Sequence, residues 1–105
     1  MKLSKNPLEL ITKDPVELSI LTFKARLMMV LSHLIRERNL NQSEAAEFLG
    51  ITQPRVSNLM NGKVSKFSID VLIEMLGKFG YLFDVTFNAN DDNNLLSLFV
   101  KKSAV

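Results

Sequence analysis

The sequence predicts a mainly α-helical fold, a bundle of about four to five helices followed by a C-terminal β-strand or hairpin. Three observations carry that expectation. Apolar residues recur at spacings of three and four through residues 16–35, 45–49, 56–60 and 69–79. A capping residue precedes each run (Asp14, Asn41, Thr52 and Ser68), and Asn39, Gly50, Gly62 and Gly80 stand where the runs stop. Only the stretch after residue 80 alternates with a period of two.

Residues 1–14 lack periodicity, and Pro7 and Pro15 break any early helix, so this segment reads as an arm that is mobile or docked on a partner. Asp14-Pro15 is a strong start, a capping carboxylate followed by proline at the first helical position. The helix it opens is expected to reach about Arg38. Ile20, Phe23, Leu27, Val30, Leu31, Leu34 and Ile35 form its core stripe. Arg36 and Arg38 suit the negative end of its dipole, and Asn39 tolerates the left-handed backbone that stops it. Leu21, Met28 and Met29 lie off the stripe. They read either as a broader buried face or as a second apolar face for a partner subunit.

Asn41 and Glu44 have the spacing of a capping box for a short second helix, with Ala45, Phe48 and Leu49 inward and Gly50 closing it. Thr52 caps the next, Pro54 lies in its first turn, and Gly62 ends it. Two short helices joined by so tight a turn cross steeply, which is the helix-turn-helix arrangement. Ser68 then caps a fourth helix whose core face is Ile69, Leu72, Ile73, Leu76 and Phe79, with Gly77 marking close helix contact. Tyr81, Phe83, Val85 and Phe87 share one side of the following strand. A lone strand with two open edges is unstable. It is expected to pair with residues 95–100, with the same strand of a second copy, or with a partner protein. Residues 88–94 form a polar loop, and the pattern of residues 95–100 fits either a strand or a helical turn. The organisation is thus an arm (1–14), a helical domain (15–80, with the helix-turn-helix at 41–62), and a strand and tail (81–105) for dimerisation or partner contact.

Composition narrows the chemistry. The chain has 105 residues, no cysteine and a net charge of +2 at pH 7. One domain is expected, without disulfides or thiolate metal sites, in keeping with a cytoplasmic protein. Lys24, Arg26 and His33 interrupt the apolar stretch of the first helix, which argues against a membrane span. His33 is the single histidine and has no second ligand at helical spacing, so it reads as packed or half-buried rather than metal-binding. Asp91-Asp92-Asn93-Asn94 lacks the glycine and the distal glutamate of a calcium loop and reads as a solvated turn. Glu44 and Glu47 are a cap and a surface charge. With no phosphate-cradling glycine loop or nucleophile elbow, neither enzymatic activity nor a cofactor is expected.

The third helix is unusual. At 100° per residue, Val56, Leu59 and Met60 fall in one arc, while Pro54, Ser57, Asn58 and Asn61 fall opposite, flanked by Gln53 and Arg55. Exposed helices usually carry Lys and Glu; this one carries amides and a hydroxyl. An amide presents a donor and an acceptor together, which is what reading an adenine edge in the major groove requires. The helix N-terminus, Arg55, Lys63 and Lys66 suit phosphates. Between Glu47 and Asp70 these three cations are the only charges.

The stretch "LNQSEAAEFLGITQPRVSNLMNGK" resembles the XRE-type helix-turn-helix of phage lambda-type repressors over about 24 residues. The wider span from Asp14 to Val85, including "KFSIDVLIEMLGKFGYLFDV", is similar to small single-domain XRE proteins that include HigA-type antitoxins. This resemblance implies a lambda-repressor-like fold. It places Gln53, Pro54 and Asn58 at base-facing positions, where Pro54 offers only an apolar surface, so that readout leans on Gln53, Ser57 and Asn58. It implies phosphate contact by Gln42, which would also brace Gln53, and backbone contacts by Thr52, Arg55, Lys63 and Lys66. The implied protein is a dimeric, sequence-specific repressor on a palindromic operator, and an antitoxin of a RelE/HigB-like ribonuclease toxin. Free-standing and phage regulators share the pattern, as would a protein-binding module whose helix-turn-helix no longer engages DNA.

Overall fold

One long helix organises the molecule. In the computed structural model, which describes residues 6–103, α1 runs over Pro15–Glu37 with Asp14 accepting the Val16 amide at its start. By length and apolarity α1 would pass for a membrane span, yet Leu27, Met28, Leu31, Leu34 and Ile35 are its buried apolar side chains and belong to the core. Three shorter helices follow: α2 (Gln42–Leu49), α3 (Gln53–Met60) and α4 (Ile69–Lys78). Ala45, Leu49, Val56, Leu59, Phe67, Leu72, Met75, Leu76 and Phe79 pack with the α1 residues into one cluster. The predicted inward residues of α3 and α4 lie in or against that cluster.

The caps stand as the sequence predicts. Asn41 accepts from the Glu44 amide at 2.7 Å and Glu44 reaches back to the Asn41 amide at 2.9 Å, a complete capping box. Asn39 after α1, Gly50 after α2 and Gly62 after α3 all have positive φ. At each, the following amide reaches back across the turn: Leu40 to the Ile35 carbonyl, Ile51 to Ala46 and Lys63 to Asn58. Three helices therefore end in the same Schellman arrangement, which satisfies carbonyls the helix itself leaves unpaired.

Beyond the helices, β1 (Tyr81–Phe87) pairs antiparallel with β2 (Leu96–Lys102) in a two-stranded sheet. The ambiguous stretch at 95–100 is thus a strand, joined to β1 by a loop in which Asn88 donates to the Asn94 carbonyl and the Ser97 hydroxyl, both at 2.9 Å. The register sets Phe83 opposite Val100, Val85 opposite Leu98, and Phe87 opposite Leu96. These six apolar residues share one face, because residues directly opposite in an antiparallel pair point the same way. Only the near end of that face meets the helices, where the Phe83 ring packs edge-on against Phe23 at 6.1 Å. The projecting hairpin gives a radius of gyration of 15.4 Å, against about 13 Å for a compact chain of similar length.

Several expectations need correction. Met28 is 2% exposed and belongs to the core, so it presents no face to a partner, whereas its neighbour Met29 is 65% exposed. Phe48 does not point inward. It is exposed, Ala46 takes the buried place, and the Phe48 ring lies against Phe79 with the Arg38 guanidinium 5.3 and 4.9 Å from the two centroids. Gly77 marks no close approach, since a Cβ there would meet nothing within 4 Å. His33 is exposed, 3.9 Å from Glu37 one turn on. Ile20 lies beyond the core on α1 and is 44% exposed. Residues Pro7–Leu10 form a 3-10 turn where no helix is expected, with Asn6 capping it and bonding to the Thr22 hydroxyl of α1. Residues 1–5 of the arm and 104–105 of the tail lie outside the described residues.

The contrast between two adjacent methionines is testable. Met28→Ala should cost about 2–5 kcal/mol by removing a buried side chain. Met29→Ala should stay within about 0.5 kcal/mol of wild type. Urea unfolding followed by circular dichroism reads both, and equal costs would refute this division of α1 into a core and an outer face.

Candidate nucleic-acid interface

The turn between α2 and α3 is three residues long, Gly50, Ile51 and Thr52. Gly50 adopts φ +70°, which only a residue without Cβ takes without strain. A Cβ there would also lie 3.2 Å from the Lys78 ammonium, which donates to the Leu49 carbonyl at 2.9 Å. A cation from α4 thus binds the negative end of α2, where the helix dipole favours it. Thr52 accepts from the Arg55 amide at 3.3 Å and starts α3. Pro54 sits in the first turn, where its missing N–H costs nothing.

Val56 and Leu59 anchor α3 to the core at 0% and 1% exposure. The opposite side is left to the predicted readers. Gln53, Pro54 and Asn61 are exposed, and Ser57 and Asn58 are half-buried. The Asn61 amide donates to the Ser57 hydroxyl oxygen at 3.3 Å, so those two polar groups lie on one face one turn apart. Asn61 keeps its carbonyl oxygen and Ser57 its hydroxyl proton for another partner. No charge interrupts the row.

The cations sit at the margins of this surface, with one change from expectation. Lys63 and Lys66 are exposed on the segment after α3, a 3-10 turn over Val64–Lys66 that the sequence pattern does not announce. Arg55 is folded onto the protein: its guanidinium lies 4.5 Å from the Phe67 ring centroid, and one N–H donates to the Lys66 carbonyl at 3.3 Å. It ties α3 to the lysine-bearing turn and keeps further N–H groups for a phosphate. Gln42 is exposed at the first position of α2. Among the described residues no hydrogen bond joins it to Gln53, as the expected brace would require.

The proposed partner residues divide. Tyr81 and Phe83 are half-buried against the helices, while Val85 and Phe87 are 52% and 71% exposed. Leu96 and Leu98 extend their face and are 54% and 45% exposed, though the sequence pattern left their structure open. Lys78 and Phe67 also escape a sequence reading, because what they touch lies 29 and 12 residues away. Among the described residues no group of His, Asp or Glu is placed to hold a metal ion.

No curated protein matches the chain. The helix-turn-helix domain family matches residues 11–88, which span all four helices and the first strand. With its two short helices, the three-residue turn between them and an outward polar face on the second, the chain belongs to the helix-turn-helix domain family, a class of DNA-binding regulators.

Proposed function

We propose that this protein is a sequence-specific transcriptional repressor that inserts α3 into the major groove. The observation that carries this reading is the outward, uncharged row of exposed Gln53 and Asn61 and half-buried Ser57 and Asn58, set between Thr52 at one end and Lys63 and Lys66 at the other. Side-chain amides discriminate bases at the groove floor, and the cations and the α3 N-terminus hold phosphates in register. The protein works by binding rather than by catalysis, in the cytoplasm, on a palindromic operator.

A homodimer completes this reading. The far end of the hairpin presents Val85, Phe87, Leu96 and Leu98 on one face, all at least 45% exposed. A two-stranded sheet with such a face is not stable alone in water. Pairing with a second copy covers it and sets two α3 helices for successive major grooves, about 34 Å apart. Within this reading we place the protein with HigA-type antitoxins, which repress their own operon and neutralise a RelE/HigB-like ribonuclease toxin. The support for the toxin is the resemblance over residues 14–85. Recovery of a small basic ribonuclease with the tagged protein from its native cells tests that assignment, and its absence there and from the neighbouring gene rejects it.

Three measurements test the DNA-binding reading. Operator affinity should fall steeply with salt, as several phosphate contacts demand. Asn58→Ala should cost about 1–3 kcal/mol on the selected site and relax preference at one base position, whereas Lys63→Ala should weaken all sequences alike. An Asn58→Ala protein with unchanged preference would remove that residue from base reading. For the dimer, Phe87→Lys with Leu98→Lys should give a monomer in sedimentation equilibrium and lower operator affinity by about tenfold or more. A dimer that survives both changes would place the interface elsewhere.

A further inference from the structure

The face of α1 that turns away from the hairpin contacts is not a plain surface. Residues 25, 28, 29, 32, 33 and 36 follow the spacing of a single helical stripe. Together with the C-terminal end of α3 they enclose a groove of about 410 Å³. Met28, Met29, Leu59 and Met60 supply its apolar lining, to which Gly62 also belongs. Methionine side chains adapt to ligands of irregular shape. The volume lies in the range of small-molecule sites.

Two polar features of the groove lack partners of their own. Ser32 is 6% exposed, the one buried polar residue among the described residues, and its hydroxyl makes no hydrogen bond among them. Among the described residues no side-chain polar atom is buried without a partner, so this hydroxyl stays open to the groove and available to a ligand. One turn further along α1, Arg36 is exposed and has no ion-pair partner among the described residues. The His33 ring also lines the groove, with the Glu37 carboxylate 3.9 Å from it. The groove thus combines an apolar lining, a hydroxyl open to it and an exposed guanidinium that makes no ion pair among the described residues.

We propose that this groove binds a small amphiphile with an apolar body and an anionic head such as a carboxylate. The body would lie on Met29 and Met60, over the buried Met28 and Leu59, and the head would accept from the Ser32 hydroxyl and the Arg36 guanidinium. Such a ligand touches α1 and the last turn of α3 at once. Granted the DNA-reading role of α3, its occupancy biases the seating of that helix and changes operator affinity.

Decanoate serves as the probe, with decanol as its neutral counterpart. In a two-dimensional amide NMR titration, decanoate should give saturable shifts confined to residues 25–36 and 59–62. Decanol should bind at least about tenfold more weakly, as loss of a charge-assisted contact predicts. Arg36→Gln should weaken decanoate by a similar factor, while Arg26→Gln, on α1 but outside the groove, should leave it unchanged. Absence of saturable shifts, equal binding of the alcohol, or indifference to Arg36→Gln would overturn the site. Shifts of the same amides on dilution of the protein alone would mean that a second copy fills the groove, and would overturn it too. Saturating decanoate should shift the affinity for a duplex selected from a random pool by about threefold or more in fluorescence anisotropy, and no shift would overturn the regulatory claim. The NMR titration needs no DNA, so failure of the ligand site and failure of the DNA reading are told apart.

Discussion

Everything on the reading side of this molecule depends on a three-residue turn. Gly50, Ile51 and Thr52 must end one helix and begin another before the chain has room for a loop. Gly50 supplies the left-handed backbone, Thr52 caps the new helix, and Ile51 returns its amide to Ala46. The Leu49 carbonyl at the end of α2 is met by the Lys78 ammonium from α4. The turn is therefore not local: the last residue of α4 holds it, and α4 in turn rests on α1 through Leu72 and Leu76, both fully buried.

From that constraint follows a division of labour on α3. A helix of eight residues is too short to be stable on its own propensity, so its position comes from what it buries. Val56 and Leu59 provide the anchor, and Arg55 stacked on Phe67 fixes the rotation at the exposed margin. With the helix held this way, the outward side is free of any structural duty. Amides and a hydroxyl there contribute little to folding, and their chemistry is that of donors and acceptors awaiting a partner. The lysines stand just past the helix rather than on it, which keeps the outward polar row uncharged.

Much of this was legible in the sequence, for physical reasons that differ by element. The caps at Asp14, Asn41, Thr52 and Ser68 act within three residues, so local pattern reveals them. The core face of α4 follows from helical periodicity alone. What escaped were contacts made between distant segments. Arg38 lies against both Phe48 and Phe79, whose rings also touch each other, and the ring of Phe48 on the outside of α2 reads as core until that cluster is seen. Met28 and Met29 share a chemistry and differ by 100° of helix, so composition cannot separate the buried from the exposed one. The second strand was ambiguous because a run such as Leu96–Val100 is short and apolar throughout most of its length, which suits a strand or a helical turn equally. The uncharged outward row of α3 was visible in the sequence, since an absence of Lys and Glu on an outward face is a property of sequence.

The most direct test of the account is a footprint on the protein at single-residue resolution. Isotope-labelled protein titrated with a duplex selected from a random pool should show the side-chain amide signals of Gln53, Asn58 and Asn61 shifting together with the backbone of residues 52–63. Perturbation confined to the hairpin or to α1, with those side-chain amides unmoved, would contradict the claim that α3 is the reading element.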